Sequence, residues 1–336
     1  MADVKLSICI PTFNFGQFIG EAIESVRKQY LPGTEIVVLD GASTDDTRNV
    51  VTRLQVECPY VHYHFQPFKG GIDADMARCV ALAQGEYCWL LSADDALSDG
   101  ALSQIHGEID SARDVYLCNR ILCDKSLKPR RSQSWLTGNF GNFDINLADD
   151  KALLQYFGRA GSIGALFSYM STIIFRRESW NRIAHDPALS GSNYAHVHRL
   201  FSMRSFHATM RYLGAPLVLC RGENDSFSSL GIVGRYLIDL RGFSLIAQLL
   251  FPNDARLRMC FKEVVNREHH WLTWVSIRSV TRNEIEWQQI RSALPDYGYS
   301  RLTIRAMEYL ARLRHSASRV RILRIVVSLY RRFRPK

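Results

Sequence analysis

Over its first hundred residues the chain alternates between two hydrophobic rhythms. Residues 4–10, VKLSICI, are a short apolar run bounded by Pro11, which predicts a buried strand. Residues 17–30 space Phe18, Ile19, Ala22, Ile23 and Val26 at helical intervals. Residues 35–39, EIVVL, predict a second buried strand, ending at Asp40. Helix signals resume at Asp45, an acid suited to a first turn, and run to about Val56. Val61–Phe65 predicts a third strand. A helix follows over 73–84, with Gly85 as the glycine that closes it. Tyr87–Leu91 predicts a fourth strand, running into Ser92-Ala93-Asp94-Asp95.

Strand–helix alternation of this kind predicts an α/β fold, a parallel sheet with helices on both faces. In such sheets ligands bind beyond the carboxyl ends of the strands. Three polar clusters fall there: Pro11 to Asn14, Asp40 to Ser43, and Ser92 to Asp95. Residues 124–150 are polar and aperiodic and predict a long loop; 164–175 are apolar without a clear period. From about Gly231 the pattern turns helical, with a first helix ending near Phe251-Pro252.

Composition narrows the class. The chain has 336 residues, 47% of them apolar, which suits one large domain with an appendage rather than disorder. Its eight cysteines contain no C-x-x-C pair, so neither a zinc knuckle nor a redox motif is expected, and a reducing cytoplasm is. Neither a signal peptide nor a membrane-spanning run is expected. The net charge of +9 sits at one end. Residues 301–336 hold eleven Arg and Lys against Glu308, which is +10, so the other 300 residues sum to −1.

Paired acids after an apolar strand suit a hard divalent cation, although Asp94 and Asp95 also read as an ordinary helix start. At these residues the sequence resembles family 2 glycosyltransferases. SICIPTFN, VVLDGASTDDT, a segment from Gly71 ending AQGEY, and LLSADDAL occur in that family's order and spacing. SIGALFSYMSTIIFRRESW, GSNYAHVHRLF and PLVLCRGENDSF resemble its abequosyltransferase-like branch, which serves bacterial O-antigen synthesis. The resemblance implies a GT-A fold, a Rossmann-like, mostly parallel sheet. Its glycosyltransferase domain would span 1–230, with a nucleotide-sugar half (1–100) and an acceptor half (101–230), before a helical region at 231–336.

The resemblance further implies a nucleotide-sugar donor (CDP-, UDP- or dTDP-linked) and a lipid-linked oligosaccharide acceptor. Pro11, Thr12, Asn14, Asp40 and Asp73 would lie around the nucleoside. Mg²⁺ or Mn²⁺ would sit on the diphosphate, held by the Asp-x-Asp position. Ser92 replaces that motif's first acid, leaving Asp94 as the direct ligand with Asp95 beside it. The family's Glu-Asp base pair is replaced as well: the aligned stretch reads Tyr194-Ala195-His196-Val197-His198. His196 is the candidate base, since a neutral imidazole can take a hydroxyl proton; packing or simple hydrogen bonding is the other reading. Arg221, Asn224 and Ser226 follow the run PLVLC, where a guanidinium fork suits a diphosphate; an ordinary loop is the alternative.

Rival classes stay in view. A nucleotidyltransferase would also use strand-end acids, but it calls for a Gly-rich basic loop that PTFNFGQF is not. A decayed saccharide-binding or scaffolding protein would explain the two departures. No nucleic-acid partner is expected, because the charge lies in one tail without interleaved stacking aromatics. Within that tail Arg321, Arg324, Ser328 and Arg331 share one helical stripe, and Val320, Leu323, Val327 and Tyr330 another. Such a helix suits an anionic membrane surface and predicts a peripheral protein on the inner face of the bacterial cytoplasmic membrane.

Overall fold

A computed structural model describes residues 4–224 and 230–313. The first half alternates as the sequence predicts: β1 (Leu6–Thr12), α1 (Ile19–Arg27), β2 (Thr34–Gly41), α2 (Thr47–Glu57), β3 (Val61–Gln66), α3 (Ile72–Leu82) and β4 (Tyr87–Leu90). Next come β5 (Ala96–Leu97), α4 (Ala101–Ile109), β6 (Val115–Cys123), β7 (Pro129–Gln133), β8 (Phe143–Asn146) and α5 (Asp150–Arg159). Then follow β9 (Ile173–Arg176), α6 (Arg177–Asn181), α7 (Ala195–Ser202) and β10 (Thr209–Cys220). The end is helical: α8 (Gly231–Leu250), α9 (Ala255–Glu268), α10 (Trp271–Val280), α11 (Glu284–Ala293) and α12 (Arg301–Leu313).

The sheet runs β3-β2-β1-β4-β9-β6-β10-β5, with β7 beside β6 and β8 beside β10. Strands β1 to β4 are mutually parallel, and the chain leaves β1 for β2 on one side and returns to β4 on the other. The switch point therefore lies at the carboxyl ends of β1, β2 and β4. Strand β9 is antiparallel to both β4 and β6 and joins the two halves of the sheet.

Alternation along β1 divides the core between the two faces. Leu6, Ile8 and Ile10 pack with α1, α2 and α4. Cys9 packs with α3 and a cluster that continues through Phe157, Phe201, Phe243 and Phe261 to Ile304 of α12. The late helices thus extend the sheet's own core.

Three local expectations are corrected. Pro11 lies within β1 instead of stopping it. The β1–β4 pairing ends at Cys9 and Leu90, so Pro11 meets no partner on that side to miss its N–H. Gly85 does not close α3, which ends at Leu82. A Cβ at Gly85 would lie 2.6 Å from Ser7 Oγ, so glycine is required for close approach to β1, and its N–H donates to that oxygen at 2.8 Å. The expected loop at 124–150 contains β7 and β8, whose polar residues pair with β6 and β10 through backbone bonds, with Gln133 accepting from Arg120 and Asp144 from Arg211.

Candidate active site

The ends of β1 and β2 meet at Thr12 and Asp40, which are in register. Asp40 is fully buried and accepts from Ser43 N (2.8 Å) and Tyr63 Oη (2.6 Å). Asn14 N donates to Ser43 Oγ and Asn14 Oδ1 accepts from Thr44 N, each at 2.8 Å. Asn14 (φ 60°) and Ala42 (φ 66°) both hold the left-handed conformation, which costs a residue with a Cβ and is held here by those bonds. Thr12 Oγ1 is buried without a hydrogen-bond partner among the described residues. Lys69 Nζ stands 3.9 Å from the centre of the Phe13 ring. Pro11, Thr12, Asn14 and Asp40 are therefore brought together.

Asp73, expected in the same group, points elsewhere. Its carboxylate accepts from Asn193 N (2.9 Å) and Ala195 N (3.0 Å), capping the start of α7. Asp75, which sequence reasoning missed, is the acid over the strand ends. It accepts from Gln66 Nε2, and a Cβ on Gly41 would lie 3.1 Å from its Oδ2. Burial pushes its carboxyl up from the ordinary range. The signal was present in Ile72-Asp73-Ala74-Asp75: two helical residues two apart diverge by about 200° and cannot serve one site.

Two strand spacings of about 4.8 Å put the loop after β4 roughly 10 Å from Asp40. Asp94 Oδ1 accepts from Ser92 Oγ and Oδ2 from Asn224 Nδ2 at 2.7 Å. Asp95 accepts from Tyr169 Oη and Ser171 Oγ, both 2.6 Å, and from Arg221 N at 3.1 Å. Burial, then the neighbouring Asp94 charge, pushes the Asp95 carboxyl up to about 6 against those hydrogen bonds. Behind Tyr169 the Arg120 guanidinium lies 4.1 Å from the ring centre.

Arg221 is nearly absent from the surface, and its fork is committed to protein groups. Nε donates to the Asp94 carbonyl (2.7 Å), one terminal N–H to the Lys125 carbonyl (2.6 Å) and the other to Glu21 (2.7 Å). The guanidinium also lies over Phe18 at 4.5 Å. These contacts describe an anchor for the acidic loop rather than the diphosphate clamp read from sequence. Ser226 lies outside the described residues.

His196 sits in the first turn of α7 and is buried. Its Nε2 faces the Phe167 carbonyl at 2.9 Å, so the ring proton belongs on Nε2, and Nδ1 is left with an unpartnered lone pair. Burial pushes the imidazole pKa down, opposed by the nearby Asp73 charge. The adjoining cavity, about 10 Å³ and lined also by Asp73, Ala195 and His198, admits a group about the size of one water. The segment from Phe167 to Ser171 bonds His196 at one end and Asp95 at the other.

Residues 7–175 match the family described as Glycosyl transferase family 2. The chain is 30% identical over 329 residues to the abequosyltransferase RfbV of Salmonella typhimurium, covering 95% of this chain and 97% of that protein. Over 102 residues it is 37% identical to the GalNAc(5)-diNAcBac-PP-undecaprenol beta-1,3-glucosyltransferase of Campylobacter jejuni, covering 30% of this chain and 33% of that one. Among solved structures, TarS residues 1–349 from S. aureus in complex with UDP-GlcNAc superposes with a TM-score of 0.63 at 19% identity, covering 87% and 80% of the two chains. That likeness concerns the fold.

Proposed function

This chain belongs to glycosyl transferase family 2, and we propose that it moves a sugar of the deoxyhexose class from a nucleoside diphosphate to a saccharide hydroxyl on a lipid-linked acceptor. The observation that carries the reading is the acidic loop at the switch point. Two carboxylates stand side by side there at the end of β4, anchored from below by Arg221, and burial together with the Asp94 charge raises the proton affinity of Asp95. The match to an abequosyltransferase along nearly its whole length supports the sugar class.

The donor set suits a hard divalent ion, Mg²⁺ or Mn²⁺. Among the described residues no three His, Cys, Asp or Glu side chains converge, so the chain would offer Asp94, with Asp95 behind it. Mg²⁺ is commonly held in this way, by one or two carboxylates plus substrate phosphates. Bound there, the ion would offset charge on the leaving diphosphate. Asn224 and Ser92 orient the Asp94 carboxylate, while Tyr169 and Ser171 fix Asp95. Thr12 Oγ1 offers the buried nucleoside side an unspent hydroxyl.

His196 supplies the base. Its neutral ring keeps Nδ1 as an acceptor at cytosolic pH, and Asp73 holds the helix that carries it. The acceptor oxygen attacks the anomeric carbon, its proton passes to Nδ1 through a single water of the size the adjoining cavity admits, and the bond to the diphosphate oxygen breaks with the electron pair leaving on that oxygen. No described helix is long and apolar enough to cross a membrane. The basic stripe within 317–336, outside the described residues, is assigned the anionic inner leaflet as its docking surface.

A thermal-shift screen of CDP-, UDP- and dTDP-sugars, with and without Mn²⁺, tests the reading, since a bound donor stabilises by mass action. A donor should raise the Tm in a Mn²⁺-dependent way, and Asp94→Ala should abolish both that dependence and transfer. Full transfer by Asp94→Ala, or by wild type after exhaustive EDTA, overturns the metal assignment.

A further inference from the structure

A cavity of about 490 Å³ lies away from the acidic loop, between α8 and the turn joining α9 to α10. Its size falls within the roughly 300–1,000 Å³ of ordinary ligand pockets. Helix α8 lines one wall with Gly231, Ile232, Arg235, Tyr236 and Asp239; Glu268, His269 and Thr273 line the other. Residues at these spacings on α8 fall on adjacent stripes of one helical face. The mouth is open, and Ile232 at its rim is half exposed.

The floor is Asp239, a buried carboxylate. It accepts from Tyr194 Oη (2.6 Å), His269 Nε2 (2.7 Å) and Arg235 (2.9 Å). Burial would raise its carboxyl, but His269, Arg235 and Tyr194 outweigh that and hold it below the ordinary range. Tyr236 and His269 meet edge to face at 5.0 Å, and Trp274 backs both at 5.7 and 5.8 Å. The indole N–H of Trp274 is buried without an acceptor among the described residues, an uncommon state for a folded interior.

Charge decides the ligand class. Among the described lining residues two carboxylates, Asp239 and Glu268, oppose one guanidinium, leaving no positive excess with which to hold a phosphate. Donors and acceptors interleaved with an aromatic face suit a neutral ligand rich in hydroxyls. Position decides its role. Tyr194, which bonds the floor, immediately precedes α7, and its ring lies 6.2 Å from that of His196.

The geometry points to a distal acceptor subsite: the cavity between α8 and α10 holds a neutral sugar unit of the acceptor, one that does not itself react. This rests on the glycosyltransferase reading above and deepens it. Remote binding of this kind orients the reacting hydroxyl, so its loss should appear in acceptor use and not in donor chemistry.

The test uses the full chain and ligand-observed NMR. The probes are neutral mono- to trisaccharides of glucose, galactose, mannose, rhamnose and N-acetylglucosamine, with inorganic phosphate as the anionic control. At least one saccharide should bind in preference to phosphate. Tyr236→Ala removes the aromatic face and should weaken that binding about tenfold, the size expected of one ring contact. Its donor hydrolysis rate and donor KM should equal those of wild type. Ile232→Arg, at a half-exposed rim position, should block the mouth without disturbing the fold, and decides the matter where Tyr236→Ala fails to fold.

Wild type that hydrolyses a donor yet binds no saccharide, or binds it equally after Ile232→Arg, overturns the subsite. Preference for phosphate overturns it too. Wild type that binds a saccharide, loses it in Ile232→Arg and hydrolyses no donor instead overturns the transferase reading and leaves the cavity assignment standing.

Discussion

Replacing Arg221 separates two roles for that side chain. As an anchor it holds the loop carrying Asp94 and Asp95; as a clamp it would hold the donor. In Arg221→Met the Asp94 carbonyl loses a buried donor at 2.7 Å, and the Lys125 carbonyl loses one at 2.6 Å. An unsatisfied buried acceptor costs about 1–3 kcal/mol. The Glu21 pair adds little, because the carboxylate side is 57% exposed and such pairs contribute roughly 0–1 kcal/mol. The Phe18 contact contributes about 0.5–1 kcal/mol. The expected loss is about 3 kcal/mol, a fall in Tm of roughly 4 °C for a chain of this size. Arg221→Lys keeps the charge but not the fork and should recover only the weak Glu21 pair. Both variants are melted without donor, by calorimetry or circular dichroism, and then titrated with donor. A Tm within about 1 °C of wild type, together with lost donor affinity, would refute the anchor and restore the clamp.

Three further outcomes are expected. His196→Ala should lower kcat roughly 10²–10⁴-fold with donor affinity intact, and the acidic limb of the wild-type pH–rate profile should lie below the ordinary histidine pKa, because burial pushes this imidazole down; near-normal turnover in the variant would make the residue structural. In EDTA-treated protein, Asp95 binds its proton more tightly folded (about 6) than unfolded, so the stability it contributes is fully present below about pH 4 and is lost as pH rises through 6. Urea midpoints should show that slope and Asp95→Asn should flatten it, while equal slopes in both would count against the raised carboxyl. A chain truncated after Ser316 should stop co-sedimenting with anionic vesicles at low salt yet still turn over a soluble acceptor; undiminished sedimentation would remove the tail from membrane docking.

What the sequence made legible follows from where side-chain chemistry decides structure. Strands β1 and β2 are buried at every position, so their apolar runs announce them. Strand β7 reads Pro-Arg-Arg-Ser-Gln and is nearly all exposed; it exists because its backbone completes β6, which no side-chain pattern encodes. Asp94 and Asp95 were visible because an acidic pair at a strand's carboxyl end is unusual. The use made of Asp73 was not, since the N–H groups it caps are 120 and 122 residues away. Arg221 was visible as a residue, but its anchoring contacts were not, for the same reason: its partners, Glu21, Asp94 and Lys125, come from three distant segments.

The place of β9 bears on how the chain is made. Strand β4 pairs with β1 on one side and with β9 on the other, and β9 begins at Ile173, more than eighty residues after β4 ends. At about 5–20 residues per second, a ribosome needs roughly 4–17 s to synthesise that interval. Throughout it a fully apolar strand, Tyr-Cys-Trp-Leu, presents an unpaired edge, the kind of surface on which nascent chains aggregate. The half of the sheet built from β1 to β4, although synthesised first, cannot close its edge until β9 arrives. Holding the growing chain through those seconds is work for a chaperone, and a chain cut between β4 and β9 should be recovered in inclusion bodies rather than as a folded fragment.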